Sequence, residues 1–347
     1  MADMVRVALD AMGGDNAPGE IVKGALWALR ENEKLAVLLV GREEAINKEL
    51  EGQEYPKDRL TVVNATEEIG FNEAPVYAVR TKRDSSLVVA MNLVHKGEAD
   101  AFVSAGSTGA ILVGSVIYIK RIRGVERTPL APLIPTEKGV SLLIDCGANV
   151  DAKPSQLVQF AKMGSIYMER VVGIKNPTVG LVNIGVEEEK GNQLVKDTFP
   201  LLKARKDINF IGSVEARDIP AGAADVIVCE AFVGNVILKL IEGLAKTLVK
   251  KIKEGMMSSV RGKIGGALAK PALKKTLGAF DTSEHGGAPM LGLNGLVVKT
   301  HGSAKAVEIR NSLLQCITFI DEHIEDILRA EFGKDSGTDG KSDDKAE

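Results

Sequence analysis

Aromatic residues make up only 4% of the 347-residue chain, with one tryptophan. A core built from it must rely on aliphatic and small side chains. Cysteine is nearly as sparse: Cys146, Cys229 and Cys316 are odd in number, far apart and set in apolar contexts. They read as reduced, buried residues of a cytosolic protein. With the four scattered histidines they offer no metal-binding spacing, and no metal or cofactor is expected. There is no apolar run of about 18 residues, so no membrane-spanning helix is expected. The opening stretch MADMVRVALD carries acids and does not read as a signal peptide. A net charge of −3 gives no general attraction to polyanions, which excludes nucleic acid as an expected partner. The dinucleotide fingerprint G-x-G-x-x-G and the G-K-[ST] ending of a P-loop are both absent.

What the chain does have is glycine, 36 residues of it, and a hydrophobic share of 45%. That pairing suits an α/β enzyme with tight strand-to-helix turns. Length alone allows two or three domains, but an α/β fold of this size can be continuous, and residues 1–332 are read as one domain. Short apolar runs alternate with amphipathic helical patterns. Val5–Leu9 precedes a helix from Pro18 to about Glu31, Leu35–Val40 precedes Glu43–Leu50, and Ala101–Val103 precedes Thr108–Lys120. Further on, Leu142–Asp145 precedes Pro154–Arg170, Val179–Asn183 precedes Glu188–Lys203, and Asp225–Cys229 precedes Asn235 to about Lys253. Continuous hydrophobic strands alternating with helices predict a mostly parallel sheet covered on both faces. Ligands of such sheets bind beyond the C-terminal strand ends, where the polar, glycine-rich motifs fall.

Two segments depart from that rhythm. Lys246–Lys275 carries nine basic residues and one acid, with Gly265-Gly266 and Pro271 expected to interrupt its helical pattern. Met257, Val260, Ile264 and Leu268 share one stripe of it. Leu273, Leu277 and Phe280 continue beyond the expected break at Pro271. A basic amphipathic helix lies readily on anionic lipid, but a dimer interface or docking of an acidic protein fits the same pattern. The last stretch, 333–347, cannot bury a core and reads as a disordered acidic tail.

Six motifs could carry chemistry. In Asp10–Pro18 the paired Gly13-Gly14 lets backbone approach an anion, although for a lone Gly-Gly pair a plain turn capped by Asp15 or Asn16 is the better reading. Ser104-Ala105-Gly106-Ser107-Thr108-Gly109 reads as a cradle for phosphate or an oxyanion at a helix start, favoured over simple capping. Asp145–Asn149 places Asn149 at a strand end. Its Cys146 reads as a small buried residue rather than a nucleophile, since no histidine is near in sequence. The acids beside Lys190 and Asn192 are those of an ordinary solvated face, yet both residues stand where a helical turn is expected to meet a strand end, a good place for phosphate. Asn235 reads as a helix cap, and Asn294 and His301 follow in Leu291–Gly302, with His301 a candidate general acid or oxyanion donor.

Together the blocks LDAMGGDNAP, KRDSS (Lys82–Ser86), SAGSTGA, IDCGAN, the glutamate-rich stretch ending KGN, FVGN and LGLNG…HG resemble the fatty acyl-ACP:phosphate acyltransferase (PlsX) family of bacterial phospholipid synthesis. They run in order from Asp10 to Gly302. Ser107 stands where asparagine is expected, Val186 precedes Glu187 where another glutamate is expected, and Glu230-Ala231 replaces an expected Asp-Gly. The resemblance implies a homodimeric three-layer α/β/α sandwich similar to the isocitrate and isopropylmalate dehydrogenases and to phosphotransacetylase. It further implies acyl carrier protein and inorganic phosphate as partners and peripheral association with the cytoplasmic face of the membrane. The product would feed a downstream glycerol-phosphate acyltransferase.

For such a reaction phosphate is already a competent nucleophile, so position and charge stabilisation are what the protein must supply. On that basis Gly13, Gly14, Ser104, Gly106, Thr108 and Gly109 are expected to cradle the anion, with Asp10, Asp15, Asn235 and Asn294 as further substrate contacts. Lys190, Asn192 and Asn149 are expected to touch phosphate or the oxyanion, with His301 protonating the leaving thiolate. A phosphotransacetylase acting on a short acyl-CoA is the alternative.

Overall fold

The computed structural model describes residues 4–278 and 286–333. The first part of the chain forms β1 (Val5–Asp10), α1 (Gly19–Glu31), β2 (Leu35–Gly41), α2 (Glu43–Leu50), β3 (Leu60–Asn64), α3 (Pro75–Thr81), α4 (Ser86–His95), β4 (Ala101–Ser104) and α5 (Thr108–Gly114). There follow β5 (Leu133–Thr136), β6 (Gly139–Ile144), α6 (Pro154–Tyr167), β7 (Thr178–Asn183), α7 (Gln193–Lys203), β8 (Asn209–Glu215), β9 (Val226–Val228), α8 (Ala231–Met257) and α9 (Val260–Gly278). The chain closes with β10 (Ala288–Met290), β11 (Leu296–Lys299), α10 (Ala306–Asp321) and α11 (Ile324–Phe332). These elements fall into two compact units, residues 4–130, 166–175 and 286–333 in the first, and 131–165 and 176–278 in the second.

The α/β expectation is met, with two sheets where sequence reading gave one. The first unit holds six strands in the order β10-β11-β4-β1-β2-β3, all parallel except β10. Four of the six residues of β1 between Val7 and Asp10 are buried in succession, as a strand covered on both faces requires. Helix α1 turns Ile21, Val22, Ala25, Leu26, Ala28 and Leu29 inward, one apolar face at helical spacing. It packs on α10 so closely that a Cβ at Gly24 would lie 2.6 Å from Ile309.

The second unit holds five strands in the order β5-β6-β9-β7-β8, all parallel except β5. Its longest helix, α8, starts at Ala231, four residues before the expected Asn235. The Glu230 carboxylate caps it by accepting from the amides of Phe232 and Val233, so Asn235 is an exposed residue inside the helix rather than its cap. Helix α7 begins at Gln193, five residues later than expected, because Asn192 Oδ1 accepts from Val195 N and fixes the start there. Helix α9 runs unbroken through Gly265-Gly266 and Pro271. A proline removes one N–H from a helix, and here the rest of the ladder persists around it. Phe280 and residues 334–347 lie outside the described residues.

Candidate active site

Strand register decides where the first unit gathers its motifs. Leu9 pairs with Val103 and Lys299 with Ser104, so Asp10, Ser104 and Lys299 stand in a row at the C-terminal edge of β1, β4 and β11. Three loops leave from that edge and touch. Asp15 N donates to Gly302 O at 2.8 Å, and Asn16 Nδ2 donates to the carbonyls of Ser303 and Ala304. Gly14 has φ +102°, and a Cβ there would lie 2.8 Å from Ala105 Cβ and 2.9 Å from Gly302 O. Only glycine fits that backbone and that space. A Cβ at Gly13 would lie 2.8 Å from Ser104 Oγ and 2.9 Å from Gly106 N.

Beneath the loops lies Asp10, fully enclosed. Its carboxylate accepts from Ser104 Oγ at 2.7 Å and from Met12 N at 3.2 Å, and the Ser86 hydroxyl also bonds to it. Ser104 Oγ in turn accepts from Gly106 N at 2.9 Å. Burial pushes the Asp10 carboxyl up, against the opposing pull of these hydrogen bonds. Asp10 and Gly106 thus serve the cradle's own framework, and the groups aimed outward belong to the next turn. The half-buried Thr108 and Gly109 open α5, and their amides take no partner among the described residues. First-turn amides left open in this way suit an anion.

His301 is exposed at the mouth of the same loops. Its Nδ1 accepts from Ser303 N at 3.2 Å and lies 2.8 Å from Ser303 Oγ, which leaves the proton of the neutral ring on Nε2. Asp15 is exposed beside it. Asn294 does not join this group. It precedes the N-terminal end of β11, the opposite edge of the sheet from Lys299, and its side chain donates to Arg121 O at 2.9 Å. Sequence reasoning missed Ser86 and the buried Lys299, whose ammonium donates to Thr300 O. The KRDSS block was the available signal for Ser86.

The second unit has its own C-terminal edge. Ile144 pairs with Val228 and Leu181 with Val228, which brings the loops after β6, β7 and β9 to one side. Asp145, fully buried, accepts from the amides of Gly147, Ala148 and Asn149 and from Asn149 Nδ2 at 2.8 Å. Asn149 is therefore held in place rather than loose. Gly234 explains the FVGN block, since a Cβ there would run into the Asp145 carbonyl. Cys146 is buried, and burial, then Asp145, push its thiol well above the ordinary range. A thiol so placed is a poor nucleophile, as the sequence reading held. Lys190 sits in the loop before α7, exposed, 2.8 Å from the Glu187 carboxylate, which raises its ammonium and lowers its own carboxyl. No group of three His, Cys, Asp or Glu that could hold a metal is present among the described residues.

Residues 5–326 match the family model described as fatty acid synthesis protein. A phosphate acyltransferase of Clostridium novyi (strain NT) is 47% identical over 326 residues, covering 94% of this chain and 98% of that protein. One of Clostridium beijerinckii is 48% identical over 333 residues, with 96% and 100% covered. The chain belongs to this family. It is an acyltransferase of fatty acid and lipid synthesis. In fold it is similar to a phosphotransacetylase from Streptococcus pyogenes, with a TM-score of 0.59 at 17% identity over 91% of this chain and 94% of that one. A 4-hydroxythreonine-4-phosphate dehydrogenase from Klebsiella pneumoniae is similar too, with a TM-score of 0.51 at 14% identity over 93% and 100%. The two clostridial relatives, unlike these two structures, share the sequence at nearly half of the matched positions.

Proposed function

We propose that this acyltransferase moves a fatty acyl group from the thioester of acyl carrier protein to inorganic phosphate. The acyl-phosphate so made serves phosphatidic acid synthesis through a glycerol-phosphate acyltransferase. The observation that carries the reading is the meeting of three glycine-bearing loops at one sheet edge, with the Thr108 and Gly109 amides open above a braced framework. Such a place binds an anion by backbone dipoles and needs no covalent intermediate. Phosphate attacks the thioester carbonyl, the tetrahedral oxyanion collapses, and the pantetheine thiolate leaves. His301, with its proton on Nε2, is suited to protonate that thiolate.

From the second unit, Lys190, Asn192 and Asn149 are proposed contacts to phosphate or the oxyanion. Residues 1–332 are taken to act together as one acyltransferase domain. Two exposed apolar stripes support a homodimer and a lipid surface. Phe232, Val236, Leu240, Leu244 and Leu248 recur every fourth residue along α8, and Met257, Val260, Ile264 and Leu268 line the basic segment. The second suits peripheral attachment to the cytoplasmic membrane face, with 246–280 as the projecting segment.

Incubation with palmitoyl-ACP and phosphate should yield acyl-phosphate, whereas acetyl-CoA should be a poor donor. Gly14→Val should raise the KM for phosphate at least about tenfold, since its side chain would push the loops apart. Turnover of acetyl-CoA with none of palmitoyl-ACP would favour the phosphotransacetylase reading instead.

A further inference from the structure

The loop before α3 takes no part in the cradle as described, and of the Lys82–Ser86 block only Ser86 does, yet both segments border it. Two cradle glycines owe their tightness to this one segment. A Cβ at Gly302 would lie 3.2 Å from Phe71 Cζ, and a Cβ at Gly109 would lie 2.7 Å from Pro75 Cγ. Residues 71–77 therefore form a rim that touches the cradle at both sides. Beside the exposed Asn72, that rim turns three large, mainly apolar side chains outward: Phe71 is 50% exposed, Val76 51% and Tyr77 71%. Among them these three side chains offer phosphate a single hydroxyl, on Tyr77, whereas an anion site is built from backbone amides and cations.

The rim is also held rigidly. Lys82 Nζ donates to Glu68 O and to the Glu73 carboxylate, both at 2.8 Å, and Glu73 Oε1 accepts from Gly70 N at 2.6 Å. Lys82 keeps the Glu73 carboxyl below its ordinary range. From the same block Ser86 bonds to Asp10, so one five-residue stretch braces the apolar rim and the framework of the cradle together.

We propose that Phe71, Val76 and Tyr77 form the subsite for the aliphatic chain of the acyl donor, with Lys82 as the positioning residue of that rim. The inference rests on the reading of the cradle as the place where phosphate receives the acyl group. Of the donor's parts, only the alkyl chain gains from apolar rings. The pantetheine arm carries amides, which need hydrogen-bond partners, and of these three side chains only Tyr77 has a polar atom, its one hydroxyl.

The test compares hexadecanoyl and octanoyl thioesters of acyl carrier protein in wild type, Tyr77→Ser, Phe71→Ser and Lys82→Met. The kcat/KM for the hexadecanoyl donor should fall about tenfold in each, and that for the octanoyl donor by less than about twofold. The KM for phosphate at saturating donor should stay within about twofold of wild type. Phe71→Leu should restore most of the long-chain preference, and Tyr77→Ser keeps the test sound if Phe71→Ser folds poorly, because the Tyr77 ring is largely exposed. Equal losses with both donors would overturn the proposal in favour of the pantetheine arm. Losses with acyl-ACP that vanish with acyl-CoA would overturn it in favour of carrier docking, and no loss at all would remove the subsite. Failure of the underlying reading shows separately, as wild-type protein that makes no acyl-phosphate.

Discussion

At Asp10 a buried carboxylate accepts hydrogen bonds from Ser104 and from the Met12 amide, and through Ser104 it fixes the Gly106 amide. Asparagine at this position offers one acceptor where the carboxylate offers two, so it turns an N–H toward one of those donors. Asp10→Asn should lower stability by about 1–3 kcal/mol and raise the KM for phosphate, read from urea midpoints and saturation curves. If only stability moved, Asp10 would be a framework residue without influence on the cradle. Lys190 is the opposite case, an exposed side chain paired with Glu187. Exposed pairs contribute little, so Lys190→Ala should leave the melting temperature nearly unchanged. Its loss of a charge-assisted contact should lower kcat/KM for phosphate about tenfold. Unaltered rates at subsaturating phosphate would return Lys190 to the solvated surface.

Among the helices, α11 carries a charge in an awkward place. Glu325, in its first turn, is half-buried, and burial, together with Asp326, pushes its carboxyl up to about 7 despite Arg329. Between its ordinary value of 4.5 and about 7 the folded chain holds a proton there that the unfolded chain has released. Folding stability therefore falls as pH rises through that window. Glu325→Gln should flatten the slope and stabilise the protein near neutral pH. Urea midpoints followed from about pH 4.5 to about pH 8 check this, and parallel curves for the two proteins would show that Glu325 titrates like a free side chain. Helix α8 shows a second element-level feature, the substitution of capping partner. Glu230 replaces the aspartate expected from the family pattern, and its longer carboxylate still reaches the Phe232 and Val233 amides.

For the whole molecule the two exposed stripes predict separable behaviour. Ile264→Asp with Leu268→Asp puts two charges on the α9 stripe, where both side chains are exposed. Vesicles of anionic lipid should lose the protein, while the oligomeric state and activity on soluble acyl-ACP persist. Leu240→Asp with Leu244→Asp alters the α8 stripe and should give monomers by light scattering, because charges in a subunit interface would be buried unpaired. Monomers from the α9 pair, with lipid binding intact, would exchange the two assignments.

Local sequence was enough for much of this protein. The apolar runs at 5–9 and 35–40 fell within β1 and β2, and the helical pattern at 43–50 coincides with α2, because each is written within a few neighbouring residues. The glycine motifs and the family they resemble were equally legible. Which motifs meet was not. Asp10, Ser104 and Lys299 share an edge only through strand pairing between positions far apart, and the same pairing sends Asn294 to the other edge despite its closeness to His301 in sequence. The cap of α8 moved from Asn235 to Glu230, since a side chain caps according to the backbone amides it can reach. Helix α9 likewise passed through Pro271, where one lost hydrogen bond was outweighed by the bonds around it. Residue pattern set the elements, and the order and register of the strands, fixed by contacts across the sheet, set which loops build a site.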